Sequence, residues 1–377
     1  MKTELLGVAM LVLFATTAEA ALGVMRYSVT DLGCLPGTTF SFASSINSSG
    51  QIVGHSDNSG APTYAFLYSG GQMTDLGSLG RAGLSYGNGI NDNGQVVGSS
   101  FTRDGLPRAF VWSSGQMTDL GTLGGGASYA QAINNKGQIV GNSTFNSQSI
   151  ADHAFLYSGG VMTDLGALSG GWSYARAINN GGQAVGESYT SSPWGGVYHA
   201  TLYSGGHITD LSTLGGPESH AKAINDVGWI VGDAQTGEGG AYAERAFLYR
   251  DGVMLDLGTL GGSSSQALGI NNRDQIVGDA MSANGEEHAF IYEEGVMTDL
   301  NALIDPASGW LLFEARAINE AGQIVGYGWT PAGQGHAFLL SIIPEPGSVT
   351  LLATGTTVVL LYRSRNARTS VLEARAG

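Results

Sequence analysis

The sequence predicts an all-β fold, a seven-bladed β-propeller of four-stranded blades over residues 21–342. One observation is the triplet Asp-Leu-Gly, with Asp-Leu-Ser and Asp-Leu-Asn as single variants, which begins at Asp31, Asp75, Asp119, Asp164, Asp210, Asp256 and Asp299. Another is the pair Ile-Asn, which ends at Asn47, Asn91, Asn134, Asn179, Asn225, Asn271 and Asn319. Both series advance by 43 to 48 residues. Such a period, with several strand-like runs per unit, is typical of propellers.

Each unit divides into four short strands, as the third unit shows. Its first strand, 128–134, alternates small and larger residues and ends in an Asn-to-Gly type I turn over 134–137. The second strand, 138–141, is apolar, and the third, 153–157, is apolar on both faces, as a sheet covered on both sides requires. Gly159-Gly160 then forms a two-residue hairpin loop into the fourth strand, 161–165. No helix is predicted inside the domain.

The two ends of the repeat region predict how the ring closes. The first Asp-Leu-Gly, within residues 27–33, precedes every other repeat element, whereas the seventh unit stops after 336–340 without a fourth strand. The N-terminal strand can therefore complete the last blade. This closure would remove both open sheet edges, which otherwise promote aggregation.

The third strands carry a recurring motif. They read His-Ala-Phe, Arg-Ala-Phe or His-Ala-Thr from His153, His288, His336, Arg108, Arg245 and His199. Over nearly all of 27–340 the chain resembles the HAF repeat of bacterial extracellular repeat proteins. The resemblance implies an extracellular location and a repeat architecture, and it implies no catalytic chemistry.

The N-terminus predicts export. Lys2 precedes an apolar run over residues 5–15, and Ala18-Glu19-Ala20 provides the small-x-small pattern that signal peptidase recognises. We expect residues 1–20 to be a signal peptide, cleaved before Ala21.

The C-terminus, 343–377, predicts a sorting tail. Pro344-Glu345-Pro346 leads into an uncharged stretch, 347–362, which is followed by Arg363, Arg365 and Arg368. This tail resembles the PEP-CTERM signal of exopolysaccharide-producing bacteria, which implies processing by an exosortase-type membrane peptidase. Ile343 stands where that family usually has Val, and nine residues follow Arg368. We expect residues 347–362 to form a short hydrophobic helix that contacts the membrane transiently, or that tethers the protein permanently if the tail is retained.

Composition excludes several classes of function. The chain has a net charge of -15, which argues against nucleic-acid binding because phosphate backbones require clustered Lys and Arg. Cys34 is the single cysteine, so the chain has no intramolecular disulfide. The spacing of His and Cys predicts no metal site, and no motif predicts a cofactor or a catalytic nucleophile. We therefore assign no catalytic, metal or cofactor residue.

The repeated polar residues are predicted to be structural. Short Asp side chains before Leu-Gly commonly accept backbone N–H groups at the end of a strand, and a catalytic or metal site seldom needs seven equivalent copies. The repeated Asn residues begin tight turns. Two units carry Arg in place of the third-strand His, which a ring of metal ligands would not tolerate. We expect this position to pack on a neighbouring blade.

Aromatic residues on variable loops are the candidates for ligand binding. The connections between second and third strands should emerge on the same face as the connections between blades. Rigid rings there provide contact area at low entropic cost. The candidates are Trp172, Trp194, Trp310, Trp329, Tyr198 and Tyr242. The alternative is that these rings pack between blades.

Two classes of function follow. The favoured hypothesis is a non-catalytic surface or matrix protein that binds exopolysaccharide or another exported protein. The alternative is an exported enzyme that acts on polysaccharide with paired carboxylates. The candidate carboxylates are Asp104, Asp152, Glu187, Asp233, Glu238, Glu286 and Glu287. Two of them converging in a central pocket would favour the enzyme.

Overall fold

The structure is a computed structural model that describes residues 26–59, 62–80, 84–146, 151–169, 171–191, 196–237 and 243–344. It contains seven separate antiparallel sheets of four strands each, which confirms the seven-bladed propeller. In six blades the four strands are consecutive in the chain. In blade 7 the fourth strand comes from the N-terminus, as predicted.

The 28 strands have the following bounds. The N-terminal strand is β1 (Tyr27–Asp31). Blade 1 contains β2 (Phe40–Ile46), β3 (Ile52–Asp57), β4 (Tyr64–Ser69) and β5 (Gln72–Asp75). Blade 2 contains β6 (Ser85–Ile90), β7 (Val96–Phe101), β8 (Pro107–Ser113) and β9 (Gln116–Asp119). Blade 3 contains β10 (Ser128–Ile133), β11 (Ile139–Thr144), β12 (Asp152–Ser158) and β13 (Val161–Gly166). Blade 4 contains β14 (Ser173–Ile178), β15 (Ala184–Thr190), β16 (Val197–Ser204) and β17 (His207–Asp210).

The remaining blades follow the same plan. Blade 5 contains β18 (Gly215–Ile224), β19 (Ile230–Thr236), β20 (Glu244–Arg250) and β21 (Val253–Asp256). Blade 6 contains β22 (Gly261–Ile270), β23 (Ile276–Ser282), β24 (Glu287–Glu293) and β25 (Val296–Asp299). Blade 7 contains β26 (Leu311–Ile318), β27 (Ile324–Trp329), β28 (Gly335–Ile342) and β1.

Two short 3-10 helices, which the sequence analysis did not predict, join blades 6 and 7. They span Leu300–Leu303 and Pro306–Ser308. Each is capped by an Asp whose side chain accepts a backbone N–H, Asp299 from Asn301 and Asp305 from Ala307. Within the described ranges no helix combines the length and apolar character needed to cross a membrane. The predicted tail helix, 347–362, lies outside those ranges.

The hydrophobic core lies between blades rather than inside any one of them. The Phe of the third strand is fully buried in six blades, at Phe66, Phe110, Phe155, Phe247, Phe290 and Phe338. A typical cluster joins Val53 and Ala65 of blade 1 to Ile90, Val96 and Phe110 of blade 2. Both faces of each sheet are therefore covered, which explains why the second and third strands are almost continuously apolar.

A ring of asparagines links all seven blades at one end of the central channel. Each repeated Asn donates from Nδ2 to the backbone carbonyl of the next Asn, at 3.0 to 3.2 Å. The last of these bonds runs from Asn319 back to Asn47. The same Asn carbonyls accept the N–H of the turn glycines, for example Gly137 at 3.0 Å. We call this end of the propeller the lower face and the opposite end the upper face.

The hairpin between third and fourth strands has the predicted geometry. Gly159 and Gly160 both have positive φ, 59° and 87°, the conformation of a type I′ turn. The lower-face turn of blade 6 has Asp274 where the other turns have Gly, and this Asp adopts the same left-handed backbone, with a φ of 62°.

Candidate functional site

The central channel is lined by the innermost strands in layers. The lower layer consists of the seven Ile residues that precede the ring asparagines, and it surrounds a cavity of about 230 Å³. The middle layer takes one residue from each blade, three positions before the ring Asn, around a cavity of about 330 Å³. Its members are Ser44, Asn88, Gln131, Arg176, Lys222, Leu268 and Arg316. The middle layer therefore carries charged residues only in blades 4, 5 and 7.

Above this layer, blades 4 and 5, together with Gln266 of blade 6, form a cleft of about 390 Å³ on the upper side of the channel. We call it the upper cleft. It is lined by Tyr174, Arg176, Glu187, Tyr198, His220, Lys222, Asp233, Glu244 and Gln266. Arg176, Lys222 and Gln266 line both the upper cleft and the middle layer, so the two spaces meet at these side chains.

On the blade 4 side, an ion pair fixes Arg176. The arginine on β14 places Nε 3.0 Å from Oε1 of Glu187 on the adjacent β15, and its Nη2 contacts the same carboxylate. The Glu187 side chain is 6% exposed and that of Arg176 is 36% exposed. The carboxylate therefore lies behind the guanidinium, and the ligand-accessible surface belongs to the cation.

Blade 5 repeats this arrangement, with two basic side chains paired to one buried carboxylate. Asp233 on β19 accepts from Nδ1 of His220 at 2.8 Å, and its other oxygen lies 3.3 Å from Nζ of Lys222. The Asp233 side chain is only 4% exposed. Burial favours its neutral form, but the hydrogen bond from His220 and the charge of Lys222 outweigh burial and lower the pKa of Asp233.

The same contacts affect His220. Burial alone would lower the pKa of His220, yet the hydrogen bond and charge of Asp233, assisted by Glu187, raise it above its ordinary value. Because Nδ1 contacts Asp233, Nε2 is the ring nitrogen that can meet a ligand.

An aromatic wall borders the cleft. The ring centroids of Tyr174 and Tyr198 are 6.0 Å apart, and Tyr198 lies 5.6 Å from Tyr189 and 6.4 Å from His220. Burial and the neighbouring Tyr198 hydroxyl raise the pKa of Tyr174. Trp172 extends the wall, 5.6 Å from Tyr189.

A second aromatic wall lies across the channel, in blades 7, 1 and 2. Successive ring centroids are 4.4 to 6.2 Å apart. The order is Trp329, Phe313, Tyr327, Phe42, His55 and Tyr86. Trp329 is 49% exposed at one end of this wall. Aromatic side chains thus border the upper channel on two opposite sides.

A group of carboxylates occupies blades 6 and 7 beside the cleft. Asp279 on β23 is 6% exposed. Burial, the charges of Glu314 and Glu287, and a hydrogen bond with Glu287 raise the pKa of Asp279 to about 8. Among the described residues, no three His, Cys, Asp or Glu side chains are arranged to hold a metal ion.

The predicted ligand-binding residues are distributed unevenly. Tyr198 lies in the upper cleft and Trp172 lies in the wall beside it, whereas Trp329 ends the second wall. Trp310 is partly buried against the core of blade 7, with its ring 6.4 Å from Phe338. Trp194 and Tyr242 lie outside the described residues.

The predicted processing residues lie almost entirely outside the described residues. Pro344 is exposed at the end of the described chain. The others are outside it: Ala18, Ala20, Ala21, Glu345, Pro346, Arg363, Arg365 and Arg368.

The repeated Asp side chains form local turns in the structure. Each accepts the backbone N–H two residues later, at 2.7 to 2.8 Å. Where the third strand begins with His, that ring also contacts the Asp of the same blade, as His153 does with Asp164 at 2.9 Å. Arg108 and Arg245 donate to backbone carbonyls near the next blade's first strand, those of Gly126 and Ser263, and Arg108 also lies 3.8 Å from Asp119 of its own blade. The arginines therefore reach a neighbouring blade, as expected.

Sequence reasoning missed six of the nine cleft residues: Tyr174, Arg176, His220, Lys222, Glu244 and Gln266. The repeats do contain a pattern that could have located the basic residues of the cleft. Three positions before the ring Asn, blades 1 to 3 carry Ser, Asn and Gln, whereas blades 4 and 5 carry Arg and Lys. Glu187 and Asp233, which sequence analysis named as candidate carboxylates, both line the cleft.

Comparison with known proteins identifies the fold and no reaction. A family described as a protein of unknown function (DUF3466) matches residues 215–367, a span that begins at β18. No curated protein matches the chain.

Three solved structures are similar in fold. The β-propeller domain of the trilobed protease from Pyrococcus furiosus, described as having an open velcro topology, is 8% identical, with 80% of this chain and 97% of that chain covered and a TM-score of 0.53. TolB from Acinetobacter baumannii is 11% identical, with 78% of this chain and 64% of TolB covered and a TM-score of 0.45. This chain therefore spans less than two thirds of TolB. A gluconolactonase from Xanthomonas campestris is 9% identical, with 85% of this chain and 92% of the gluconolactonase covered and a TM-score of 0.41. Propellers occur in enzymes and in non-enzymes, and at these identities the similarity shows the fold alone.

Proposed function

We propose that the protein is an exported, non-catalytic binding module of the cell surface or extracellular matrix, and that its upper cleft binds a glycan such as exopolysaccharide. The observation that carries this proposal is the combination, in one concave site, of an aromatic wall with preordered polar groups. Export by signal peptidase and processing by an exosortase-type peptidase belong to the proposal. Their support is the pattern of residues at the two termini.

The chemistry of the cleft suits a sugar. A pyranose ring presents flat C–H faces that pack against aromatic rings, and hydroxyl groups that need hydrogen-bond partners. Tyr174 and Tyr198 offer the rings, while Arg176, His220 and Lys222 offer the donors. The ion pairs with Glu187 and Asp233 already hold these donors, so little side-chain entropy is lost on binding.

One observation favours a second candidate, an exported enzyme acting on polysaccharide: Glu187 and Asp233 converge on the same cleft. Glycoside hydrolysis needs one carboxyl with a raised pKa to act as the acid. Here both carboxylates are nearly fully buried and paired with cations, and the pKa of Asp233 is lowered. These pairs support binding over catalysis.

The proposal is tested by titrating the purified full-length chain with exopolysaccharide extracted from the producing organism. Tyrosine and tryptophan fluorescence reports binding, and size analysis of the recovered polymer reports cleavage. We expect a saturable fluorescence change with polymer of unchanged length. Shortened polymer would favour the enzyme, and the absence of any change would contradict glycan binding and favour a protein partner.

Two variants locate the site. Tyr198→Ala removes part of the wall beside the cleft, and Trp329→Ala removes the exposed end of the second wall. We expect Tyr198→Ala to weaken binding about tenfold, the effect of losing about 1.4 kcal/mol of contact. His207→Ala, an exposed ring on the outer strand of blade 4, is the control and should bind like the parent protein. Loss of affinity only in Trp329→Ala would place the ligand on blades 7, 1 and 2 instead.

A further inference from the structure

The distribution of basic residues indicates which glycan the cleft takes. Between residues 21 and 342 the chain has 11 Lys and Arg against 27 Asp and Glu. Three of those few cations, Arg176, Lys222 and Arg316, line the central channel. In so acidic a protein, a polyanion is repelled by most of the surface, so a local cluster of cations is needed to hold one.

The partners of two of these cations are hidden from a ligand. The side chains of Glu187 and Asp233 are 6% and 4% exposed, whereas those of Arg176 and Lys222 are 36% and 28% exposed. The buried carboxylates thus orient the cations and offset their desolvation. The accessible groups of the cleft are then the donors of Arg176, Lys222 and His220, with one partly exposed carboxylate, Glu244, at the blade 5 side.

Both cations retain donors for a further anion. Glu187 engages Nε and Nη2 of Arg176, which leaves Nη1 for a ligand. Lys222 contacts a single oxygen of Asp233 and has three N–H groups. The two residues are equivalent positions on the neighbouring strands β14 and β18, and both line the upper cleft and the middle layer of the channel.

From these observations we infer that the upper cleft is a subsite for an acidic glycan, with the carboxylate of a uronic acid residue held between Arg176 and Lys222 and its sugar ring against Tyr174 and Tyr198. A planar carboxylate matches the arginine fork, and charge-assisted hydrogen bonds of this kind are the strong ones. His220 lies at the side of the cleft, where Nε2 can meet a sugar hydroxyl. This inference rests on the proposed function and names its ligand class.

The test compares oligogalacturonate with its methyl ester, which keeps the sugar backbone and removes the charge. The full-length chain is titrated with each by isothermal calorimetry, alongside neutral dextran and dextran sulfate. We expect oligogalacturonate to bind at least about tenfold more tightly than the ester, since hydrogen bonds to charged groups are worth about 1.5–3 kcal/mol. This comparison uses the parent protein, so it does not depend on any variant folding.

Variants then assign the binding to the two cations. Arg176→Gln and Lys222→Gln should each reduce the affinity for oligogalacturonate about tenfold and the affinity for the ester by clearly less, so that the preference for the acid over the ester becomes smaller. Lys222→Arg retains the charge beside Asp233 and should bind nearly as the parent protein. Lys136→Gln removes an exposed cation on the lower face and is the control for net charge.

The outcomes separate this inference from the proposed function. Equal affinity for the acid and the ester, or binding of dextran sulfate alone, would overturn the uronate subsite and leave glycan binding intact. Binding of the extracted exopolysaccharide without any binding of oligogalacturonate would likewise overturn the uronate subsite and leave glycan binding intact. If the extracted polymer also fails to bind, the proposed function fails with it.

Discussion

At the scale of single residues, the buried carboxyl of Asp279 is held neutral by its surroundings. It lies on β23, where Glu287 of β24 and Glu314 of β26 face it and Arg316 offsets them in part. Burial and the two carboxylates raise its pKa to about 8, well above the value near 3.9 of an unfolded chain. At any pH between these two pKa values, the folded protein therefore binds more protons than the unfolded chain.

This imbalance predicts the direction of a pH effect on stability. Because the folded state takes up the extra proton, the free energy of unfolding should fall as pH rises from about 4 to about 8, by up to about 1.4 kcal/mol per pH unit. Asp279→Asn imitates the protonated acid and should flatten that dependence, so that the variant is the more stable protein at pH 8. Urea unfolding at pH 5, 6, 7 and 8 measures this. Asp104→Asn, at an exposed loop position, is the control, and parallel curves for Asp279→Asn and the parent protein would refute the assignment.

The candidate site was only partly predictable at this scale. Tyr198, Glu187 and Asp233 were identified from residue type and position in the repeat, yet their partners Arg176, His220 and Lys222 were not. An ion pair such as Arg176 with Glu187 joins residues eleven apart across a hairpin, and the residue types alone do not show which side chains point into the channel. The side-chain direction depends on the bulge described below.

At the scale of strands, a β-bulge in the innermost strand of every blade decides what the channel presents. In blade 3 the register between β10 and β11 shifts between Ala130 and Ala132, which leaves Gln131 as the extra residue. That bulged position is the middle layer of the channel, and in blades 4 and 5 it carries Arg176 and Lys222. The repeat pattern predicted the strand but not the bulge, because one extra residue does not alter the Ile-Asn spacing.

The bulge also explains the glycine that ends the Ile-Val-Gly run of the second strand. A Cβ on Gly141 would lie 1.9 Å from the carbonyl oxygen of Tyr129, a contact with backbone that cannot move aside. Gly141→Ala should therefore destabilise the protein by about 3 kcal/mol, at the upper end of overpacking costs. Gly126→Ala is the matched control, because a Cβ there meets nothing within 4 Å.

Thermal unfolding of the two glycine variants gives the comparison. We expect a clearly lower Tm for Gly141→Ala and a change within about 0.5 kcal/mol for Gly126→Ala. Equal melting points for the two variants would show that the bulge relaxes at little cost.

At the scale of the whole molecule, the ring is closed in two independent ways. The strand β1 pairs with β28, where Leu32 N donates to Ala337 O at 3.1 Å and His336 contacts Asp31 at 2.8 Å. The asparagine ring closes separately, through Asn319 and Asn47. The strand closure followed from the phase of the repeats, whereas the asparagine ring could not be predicted, because it requires seven turns to meet around one axis.

Deleting residues 27–33 should expose the edge of β28 and remove the buried ring of Tyr27 from the core of blade 7. We expect the shortened protein to self-associate, which light scattering after size-exclusion chromatography would detect. Ser28→Ala, an exposed position in the same strand, should remain monomeric. A monomeric deletion variant with an unchanged Tm would show that β1 is dispensable for closure.

A glycan in the upper cleft between blades 4 and 5 would be seen directly in a crystal structure of the full-length chain grown with saturating oligogalacturonate. We expect a sugar ring against Tyr174 and Tyr198, with its carboxylate within hydrogen-bond distance of Arg176 and Lys222. Sugar bound only along the wall from Trp329 to Tyr86, or an empty cleft under conditions where calorimetry shows saturation, would contradict it.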